Sequence, residues 1–411
     1  MRTAGIIVEY NPLHNGHVYH YRRTKDVTGA DCVVAVMSGN FLQRGEPALV
    51  NKWARTEMAL RMGVDLVIEL PVLYACQPAE WFAYGAVSAL HATGVVDALC
   101  FGSESGDIDW LQQVAQYIHE EPVALSNQLR TLLQTGMNYP SAYAAALTAF
   151  ARQNGLSIPE GELDKPNNTL GLHYLIALHR LASRIQCYTI PRIHSDYRDQ
   201  MPTHASIASA TSIRRKWLEQ GKLEAVRQYV PDSTYAILEQ EQQQGRAPME
   251  WEQFYMQLLG RLSVTSAEQL RELAEVSEGL EFRIQDLLFQ QRACTSFEQL
   301  IGGLKTKRYT RTKLQRTLLR ILLNHPAHLL EREKLAAGVP YLRILGFSDN
   351  GRKLLKRMKH TATVPVYTRF SKLSSSQLEL DLRASYLYAL GYPQPSPDEW
   401  QRDIRQPPIQ I

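Results

Sequence analysis

Two histidines with two residues between them follow the first apolar run of the chain. The stretch EYNPLHNGHVYH, residues 9–20, comes directly after Ile6–Val8 and contains His14 and His17. Imidazole N–H groups can donate hydrogen bonds to phosphate oxygens as negative charge builds up in phosphoryl or nucleotidyl transfer. Because positions i and i+3 of a helix share a face, both side chains would act at one place. The spacing therefore predicts that His14 and His17 are catalytic.

The same pair also fits two plainer interpretations, a metal site or histidines that only cap a helix. His20 adds a third imidazole, but no further residue follows at a spacing typical of a metal site. The cysteines form no CxxC pair, which predicts reduced thiols and no zinc; they are Cys32, Cys76, Cys100, Cys187 and Cys294. We expect no metal centre built by the protein, although both plainer interpretations stay open at this point.

A strand, a tight turn and a helix must hold the histidines in place. Pro12 ends the strand, and Gly16, which lacks a Cβ, lets a ligand approach the backbone closely. A helix that begins near Asn15 would direct its unpaired N–H groups and the positive end of its dipole at the space above the strand. That space is where a phosphate group would bind.

Apolar runs and helical patterns alternate through the first half of the chain. After Ile6–Val8 the runs are Cys32–Met37, Leu66–Leu70, Ala98–Phe101 and Cys187–Ile190, with helical patterns such as Asn51–Met62 and Ala79–Ala92 between them. This order predicts an α/β protein with a Rossmann-like parallel sheet and right-handed crossovers. Ligands of such sheets bind at the carboxyl ends of the strands, where SGNFLQRGE, FGSESG and RIHSDYRD also lie.

The second half of the chain has a different character. From about Pro231 the sequence is mostly helical, with faces rich in Gln and Glu. The change predicts a catalytic domain over residues 1–225 and a mainly α-helical, RNA-binding domain over residues 226–411. We expect a small extended segment near residue 364 and a poorly ordered tail, RQPPIQI.

A basic run without a single acid, KTKRYTRTKLQRTLLR, lies in this second half. Its charge suits RNA phosphates, and Tyr309 inside it suits base stacking. The alternative is a solvated helix face, but the net charge of the chain is only +4, so charge this concentrated favours an RNA surface. The predicted contacts are Lys305, Lys307, Arg308, Arg311, Lys313 and Arg316. A second basic cluster consists of Arg352, Lys353, Lys356, Arg357 and Lys359.

The bulk composition excludes several classes of protein. Hydrophobic residues make up 45% of the chain and charged residues 21%, as in ordinary globular proteins. No apolar run is long enough to cross a bilayer, and the first residues lack the charged-then-apolar pattern of a signal peptide. We expect a soluble, cytoplasmic protein without a membrane partner.

The form HxGH between a strand and a helix resembles the signature of the HIGH-motif nucleotidyltransferase superfamily, which includes class I aminoacyl-tRNA synthetases and small-molecule adenylyltransferases. The second signature of that superfamily is a Ser/Thr-rich stretch followed by a basic residue, after the last core strand. SATSIRRK, residues 209–216, stands at that place. The resemblance makes Ser209, Thr211 and Arg214 candidate phosphate contacts, whereas the stretch alone is typical of a helix cap.

Longer motifs narrow the resemblance. VEYNPLHNGHVYH, MSGNFLQRGEPALVNKWARTEMAL, KPNNTLGLHY and KTKRYTRTKLQR together resemble the bacterial tRNA(Met) cytidine acetate ligase family along most of the chain. The resemblance implies that ATP activates acetate to acetyl-adenylate, and that the acetyl group then passes to N4 of the wobble cytidine of elongator tRNA(Met). It implies Mg²⁺ beside ATP and no acetyl-CoA. Two departures are Asn51, where an acidic residue is expected before Lys52, and IHSDYRD, which is less Gly-rich than expected.

By this resemblance the nucleotide site combines one loop with three distant residues. Gly102 ends a strand, where a side chain would block the nucleotide. Asn167 suits a ribose or base edge, with a Pro-Asn turn as the alternative, and Arg192 suits a phosphate, with a surface salt bridge as the alternative. The implied ATP-binding residues are Ile7, Val8, Glu9, Tyr10, Asn11, Pro12, Leu13, His14, Asn15, Gly16, His17, Val18, Tyr19, His20, Gly102, Asn167 and Arg192.

Composition and spacing alone indicate ATP-dependent nucleotidyl transfer with an RNA partner, whereas acetate and the methionine tRNA come from the resemblance. Two other functions remain open. A small-molecule adenylyltransferase would release a dinucleotide-like product and would not need the basic helical half. A non-catalytic RNA-binding protein would bind tRNA without ATP turnover.

Overall fold

A computed structural model describes residues 1–192, 206–289, 294–306, 309–369 and 375–411. The segment IHSDYRD and the two basic residues Lys307 and Arg308 lie outside these described residues.

One mixed sheet organises the described chain. Its strands are β1 (Thr3–Val8), β2 (Cys32–Ser38), β3 (Leu66–Leu70), β4 (Ala98–Ser103), β5 (Gln186–Pro191), β6 (Leu342–Phe347), β7 (Val366–Tyr367) and β8 (Ile409–Gln410). They lie in the order β5-β4-β1-β2-β3-β6-β7, and β8 also pairs with β6. The first five strands are mutually parallel. The predicted α/β fold with a Rossmann-like parallel sheet is therefore confirmed, and the order reverses between β1 and β4, where such sheets bind ligands.

Helices cover both faces of the sheet. Within the described ranges they are α1 (Asn15–Thr28), α2 (Lys52–Met62), α3 (Val72–Ala75), α4 (Ala79–Ala92), α5 (Asp109–Ile118), α6 (Val123–Gln134), α7 (Tyr139–Gln153), α8 (Pro166–Arg180), α9 (Ala210–Gln220), α10 (Asp232–Gln243), α11 (Tyr255–Ser263), α12 (Ala267–Arg271), α13 (Leu280–Phe289), α14 (Phe297–Leu304), α15 (Arg311–Leu323), α16 (Arg332–Ala336), α17 (Asp349–Thr361), α18 (Ser376–Leu390), α19 (Pro397–Trp400) and α20 (Arg402–Arg405). Short 3₁₀ helices lie at Glu162–Asp164, Leu223–Tyr229, Trp251–Phe254 and Ala327–Leu330. None of the helices in these ranges combines the length and the apolar character that crossing a membrane requires.

The core forms two apolar layers because the parallel strands are buried on both faces. In β2 successive side chains alternate between them: Cys32, Val34 and Val36 belong to one layer, and Val33, Ala35 and Met37 to the other. The first layer continues into α4, α8 and many helices of the second half, and the second layer continues into α2, α9 and α10. The continuous apolar runs that predicted the strands are thus explained by burial on both sides.

The second half of the chain also contributes strands, which the sequence pattern did not predict except near residue 364. β6 pairs antiparallel with β3, and both β7 and β8 pair with the outer edge of β6. The expectation of a poorly ordered tail is wrong at Ile409 and Gln410, because their backbone groups bond to β6. The mainly helical character of this half is confirmed, whereas the division at residue 225 stays a prediction.

A buried cluster of charges ties this half to the sheet. Lys52 Nζ lies 2.7 Å from a Glu69 oxygen and 2.8 Å from an Asp403 oxygen, and Arg343 reaches the same two carboxylates at 3.6 and 3.1 Å. Each of these side chains is at most 4% exposed. The cluster connects α2, β3, β6 and α20. Beside it, the departure at Asn51 has a local reason, since its amide donates to Glu241 Oε2 at 2.6 Å, which an aspartate could not do.

Candidate active site

His14 and His17 hold the start of α1 together. His14 is the N-cap residue, and its Nδ1 accepts a hydrogen bond from the Gly16 N–H at 3.1 Å. In return, His17 Nδ1 accepts from the His14 N–H at 3.2 Å. The two rings lie 3.8 Å apart between centroids. The interpretation of the pair as helix caps is therefore correct for one nitrogen of each ring, and it leaves the other nitrogen available.

Both rings are neutral at physiological pH. Burial lowers the pKa of His14 to about 3, with Arg192 and Arg214 adding to the shift. Burial, followed by the neighbouring His14, holds the pKa of His17 well below its usual value. A neutral ring whose Nδ1 accepts a hydrogen bond carries its proton on Nε2. Each histidine therefore offers an Nε2–H donor to the cavity that both residues line.

That cavity, of about 290 Å³, opens at the carboxyl ends of β1, β4 and β5. Most of the predicted nucleotide residues line it: Ile7, Val8, Glu9, Tyr10, Asn11, His14, Gly16, His17, Tyr19, His20, Gly102, Asn167 and Arg192, together with Ser209, Thr211 and Arg214. Four members of the predicted ATP loop do not line it. Pro12 and Leu13 are buried, Val18 packs on the second core layer, and the Asn15 amide donates to the carbonyls of Ser206 and Gln228.

Gly16 and Gly102 have different reasons to lack a side chain. A Cβ on Gly16 would come within 2.9 Å of the His14 ring, so the cap geometry itself excludes one. A Cβ on Gly102 would lie 3.5 Å from Arg192 Cγ and 4.0 Å from His20 Cδ2, which are ordinary contacts. The protein could accommodate an alanine at 102, and the added methyl group would occupy space beside the cavity.

Asn167 and Arg192 meet at the cavity although they come from distant parts of the chain. Arg192 Nη1 donates to Asn167 Oδ1 at 3.1 Å, and the Asn167 amide donates to Glu104 Oε1 at 2.5 Å. Glu104 also accepts from the first backbone N–H groups of α8, so it caps that helix. The next residue, Asn168, is fully buried and bonds to the β4–α5 loop. Asn167 is thus the amide of KPNN that faces the cavity.

The start of α9 forms the opposite wall. Ser209 caps the helix by accepting from the Ser212 N–H at 3.1 Å, so the cap interpretation holds for its hydroxyl. Thr211 lines the cavity, and Arg214 Nη1 donates to the Asn11 carbonyl at 2.9 Å. Arg214 also lies 3.6 Å from Glu46. Two helix N-termini, those of α1 and α9, and two guanidinium groups therefore surround one space, which suits an anion.

Several lining residues were not predicted as ligand contacts. Leu42, Gln43, Arg44 and Glu46 come from SGNFLQRGE, which the sequence placed at this edge of the sheet without a role. Phe82, Phe101, Leu170 and Tyr174 form an apolar part of the wall. In a sequence, apolar residues of helices and strands that line a cavity look the same as core residues, so no sequence signal could have distinguished these four from the core. Burial raises the pKa of Glu9, whose carboxylate accepts from the Gln43 N–H at 2.8 Å.

The described residues around the cavity do not form a metal centre. Within the described ranges no group of three or more His, Cys, Asp or Glu side chains could hold a metal ion. His20 lines the cavity with an Nε2 atom that makes no hydrogen bond to any described residue, and burial lowers its pKa to about 4. The carboxylates on the cavity wall are Glu9 and Glu46. The described residues thus do not fit a Mg²⁺ site built by the protein.

The basic run is more neutralised than the sequence suggests. Arg311 pairs with Glu298, Lys313 lies 3.7 Å from Glu278, and both Arg316 and Arg320 lie within 3.8 Å of Glu275. Lys305 is exposed. These acids come from α14 and from the segment before α13, so their proximity could not be read from the run itself.

The proposed stacking role of Tyr309 is wrong. The side chain is 6% exposed, and its hydroxyl donates to the carbonyls of Ser277 and Glu278 at 2.9 and 3.0 Å. Tyr309 belongs to the apolar core. Burial of its large ring stabilises the fold more than exposure at the surface would.

The parallel sheet, the histidine-capped helix at its switch point and the second helix N-terminus define a nucleotidyl transferase of the HIGH type, and the family model described as HIGH Nucleotidyl Transferase matches residues 1–403. The chain belongs, within it, to the tRNA(Met) cytidine acetate ligase family, a family of enzymes. It is 42% identical over 398 residues to the Geobacillus sp. tRNA(Met) cytidine acetate ligase, with 96% of each chain covered. It is 41% identical over 406 residues to the Acetivibrio thermocellus enzyme of that name, again with 96% of each covered.

Solved structures of the same type exist. The apo form of Thermotoga maritima TmcAL matches with a TM-score of 0.92 and 35% identity, over 100% of both chains. A second structure of that protein, with alpha-thio ATP bound, matches with a TM-score of 0.91 and the same identity and coverage.

Proposed function

We propose that this protein uses ATP to activate acetate as acetyl-adenylate and transfers the acetyl group to N4 of the wobble cytidine of elongator tRNA(Met). One observation carries the proposal. The Nε2–H groups of His14 and His17 serve a single cavity that also receives the N-termini of α1 and α9 and the guanidinium groups of Arg192 and Arg214. The names of the relatives supply the acetate and the tRNA.

In the first step an acetate oxygen attacks the α-phosphorus of ATP, the bond from phosphorus to the bridging oxygen breaks, and pyrophosphate leaves. Negative charge grows on the phosphate oxygens during this exchange. The two Nε2–H donors and the arginines stabilise that charge from fixed positions, so little reorganisation is needed. Because the imidazoles are already neutral, they act as hydrogen-bond donors and do not supply a proton of their own.

In the second step the cytidine N4 amine attacks the acyl carbon of acetyl-adenylate, the bond from that carbon to the phosphate oxygen breaks, AMP leaves, and the nitrogen gives up one proton to the solvent. No covalent bond to the protein is needed, because positioning of the two reactants supplies most of the acceleration. The apolar wall of Leu42, Phe82, Phe101, Leu170 and Tyr174 keeps water away from the mixed anhydride.

Within the cavity, we assign nucleotide contacts to the predicted residues that line it. Asn167 can exchange its present partners, Glu104 and Arg192, for a ribose or base edge, and Arg192 then pairs with a phosphate. Thr211 and Arg214 at the start of α9 hold the pyrophosphate end. Mg²⁺ that arrives with the triphosphate would need few protein ligands and would add to the stabilisation of negative charge on the phosphate oxygens.

The tRNA contacts proposed from the sequence are Lys305, Lys307, Arg308, Arg311, Lys313 and Arg316. The location of Arg311, Lys313 and Arg316 in α15 supports the proposal, since α15 packs on the loop that lines the cavity. A Cβ on Gly45 would lie 2.5 Å from the Arg316 backbone nitrogen. The hydrogen bond to Glu298 raises the pKa of Arg311, and the charge of Glu46, beside Gly45, adds to that shift. The glutamates paired with this run reduce its net charge, so tRNA phosphates must either displace those glutamates or bind the same cations beside them. A cytoplasmic location, where ATP and tRNA are available, is part of the proposal.

One experiment tests the function against its rivals. The protein is incubated with ATP, labelled acetate and a tRNA(Met) transcript, and the products are separated by size. Label on the tRNA, with AMP and pyrophosphate released, supports the proposal. A labelled or adenylylated small molecule as the final product indicates a small-molecule adenylyltransferase. Binding of tRNA without any consumption of ATP indicates a non-catalytic RNA-binding protein, and either of these two results overturns the proposal.

A further inference from the structure

Helix α17 carries an exposed basic face that the proposed chemistry does not use. Its five cations, Arg352, Lys353, Lys356, Arg357 and Lys359, are all exposed. None of them forms an ion pair with a carboxylate among the described residues. Their hydrogen-bond partners are neutral: Arg352 donates to Gln410 Oε1, Lys353 to Asn350 Oδ1 and Arg357 to the Met1 carbonyl, at 3.0 to 3.4 Å. The positive charge of this face is therefore not compensated locally.

The basic run of α15 provides the contrast. There, each described arginine and Lys313 faces a glutamate. A polyanion that binds α15 must compete with fixed carboxylates, whereas one that binds α17 replaces only water and mobile counterions. The single acidic residue of α17, Asp349, lies in its first turn. Among the described residues, the cations of α17 therefore lack the neighbouring carboxylates that the α15 cations have.

The core fixes the orientation of this helix. Leu354 and Met358 are buried in the first apolar layer, and a Cβ on Gly351 would clash with the Asp65 carbonyl oxygen. The cations therefore project from a rigid support.

An open depression of about 730 Å³ adjoins the helix at Met1, the residue that Arg357 contacts. Arg2, Arg184 and Asp97 line it, and Asp31 lies 3.8 Å from the amino group of Met1. Both signs of charge occur there, so the uncompensated positive charge is that of the α17 face.

This face lies at the amino-terminal ends of the parallel strands, opposite the candidate active site at their carboxyl ends. α17 contacts Asp65 just before β3, Met1 just before β1 and Thr93 just before β4. The cavity lies at the other ends of these strands. A strand of six residues spans about 20 Å, so the face and the cavity are at least that far apart. One turn of a nucleic-acid duplex spans about 34–36 Å in DNA, and a double-stranded RNA arm of similar length can reach from one to the other.

We propose that the exposed face of α17 binds phosphates of the tRNA at a part of the molecule remote from the base that reacts. The proposal rests on the proposed function, since it gives the same RNA a second contact. A membrane surface would be the other polyanion to consider. The apolar side of α17 is buried in the core, however, so the helix has nothing to insert between lipids. RNA needs only the charge.

The test neutralises three of the cations together, as Lys353→Gln, Lys356→Gln and Arg357→Gln. A matched control neutralises three exposed arginines on other helices, as Arg61→Gln, Arg130→Gln and Arg152→Gln. Both variants change the net charge equally. Affinity for a tRNA(Met) transcript is measured by fluorescence anisotropy at several salt concentrations, without ATP or acetate. Thermal melting and ATP titration check that each variant is folded.

We expect the α17 variant to bind tRNA roughly tenfold or more weakly at low salt. Its slope of log affinity against log salt should fall by about 0.7 to 0.9 for each phosphate that the variant no longer neutralises. The control should bind like the wild type. Equal affinity and slope in the α17 variant, or an equal loss of affinity in the control, would overturn the proposal. So would a variant that keeps its tRNA affinity but no longer binds vesicles containing phosphatidylserine.

These readouts separate the inference from the proposed function. Failure of the proposed chemistry appears as unlabelled tRNA in the acetate assay, while tRNA affinity and its dependence on α17 remain. Failure of the α17 contact appears as unchanged affinity, while acetylation proceeds. The two outcomes can occur independently.

Discussion

At the scale of single residues, His14 and His17 divide their two ring nitrogens between folding and chemistry. Each Nδ1 accepts a backbone hydrogen bond at the start of α1, and this fixes the tautomer before any ligand arrives. Each Nε2–H is then a donor with a set direction. Transition-state charge is stabilised best by donors that do not have to reorient. The capping hydrogen bonds therefore fix the tautomer and the direction of both Nε2–H donors.

This division predicts different effects for two substitutions of His14. His14→Asn keeps a good N-cap residue but loses the Nε2–H, whereas His14→Ala loses both. We expect both variants to form acetyl-adenylate about a hundredfold or more slowly. Only the alanine variant should lose about 1 kcal/mol of unfolding free energy. Acetate-dependent ATP–pyrophosphate exchange measures the first effect and urea denaturation the second. Wild-type exchange in the asparagine variant would remove His14 from the chemistry.

At the scale of elements, the carboxyl end of β4 passes beside the cavity with no side chain at Gly102. The added methyl group of Gly102→Ala makes only ordinary contacts with Arg192 and His20, so we expect little change in stability. It would occupy nucleotide space, so ATP affinity should fall about tenfold or more, because a well-packed site accommodates extra volume at a cost of about 1–3 kcal/mol. Calorimetric titration with ATP measures the loss of affinity.

A matched control is Gly260→Ala in α11, where the added Cβ meets nothing within 4 Å. This variant should bind ATP like the wild type and be slightly more stable, since alanine favours a helix over glycine. If Gly102→Ala also binds ATP normally, the nucleotide does not approach the end of β4.

The elements also show which parts of the fold and of the site could be predicted from sequence patterns. The strands β1 to β4 were predictable because each is largely an apolar run buried on both faces, whereas β5 is only partly buried and was predictable from its short apolar stretch alone. β7 lies in the extended segment expected near residue 364, whereas β8 has two residues, too few for any periodicity, and β6 carries Arg343 within a helical region. The polar loops of the site were predictable from their position after strands. Its apolar wall was not, because Phe82 and Leu170 look like core residues.

At the scale of the whole molecule, the cluster of Lys52, Glu69, Arg343 and Asp403 joins the two halves of the chain. Removing one partner of such a cluster leaves charge buried without compensation, which costs about 3–5 kcal/mol. We therefore expect Asp403→Ala to lower the unfolding free energy by about that amount. Urea denaturation followed by circular dichroism measures it.

Asp398 supplies the comparison, because it belongs to the same C-terminal region and also pairs with an arginine. It is 88% exposed and lies 2.9 Å from Arg405. Asp398→Ala should change stability by no more than about 0.5 kcal/mol. Equal midpoints for the two alanine variants would show that the buried cluster does not hold the halves together.

The residues of this cluster are synthesised at very different times. Lys52 and Asp403 are 351 residues apart, and ribosomes add about 5–20 residues per second. Roughly 20–70 s therefore pass between the emergence of the lysine and the arrival of its second carboxylate. For most of that time, until β6 (Leu342–Phe347) has been made, β3 lacks β6 and its edge is open to pairing with other chains. In the first half of the protein, Lys52 therefore lacks its Asp403 partner until α20 has been synthesised.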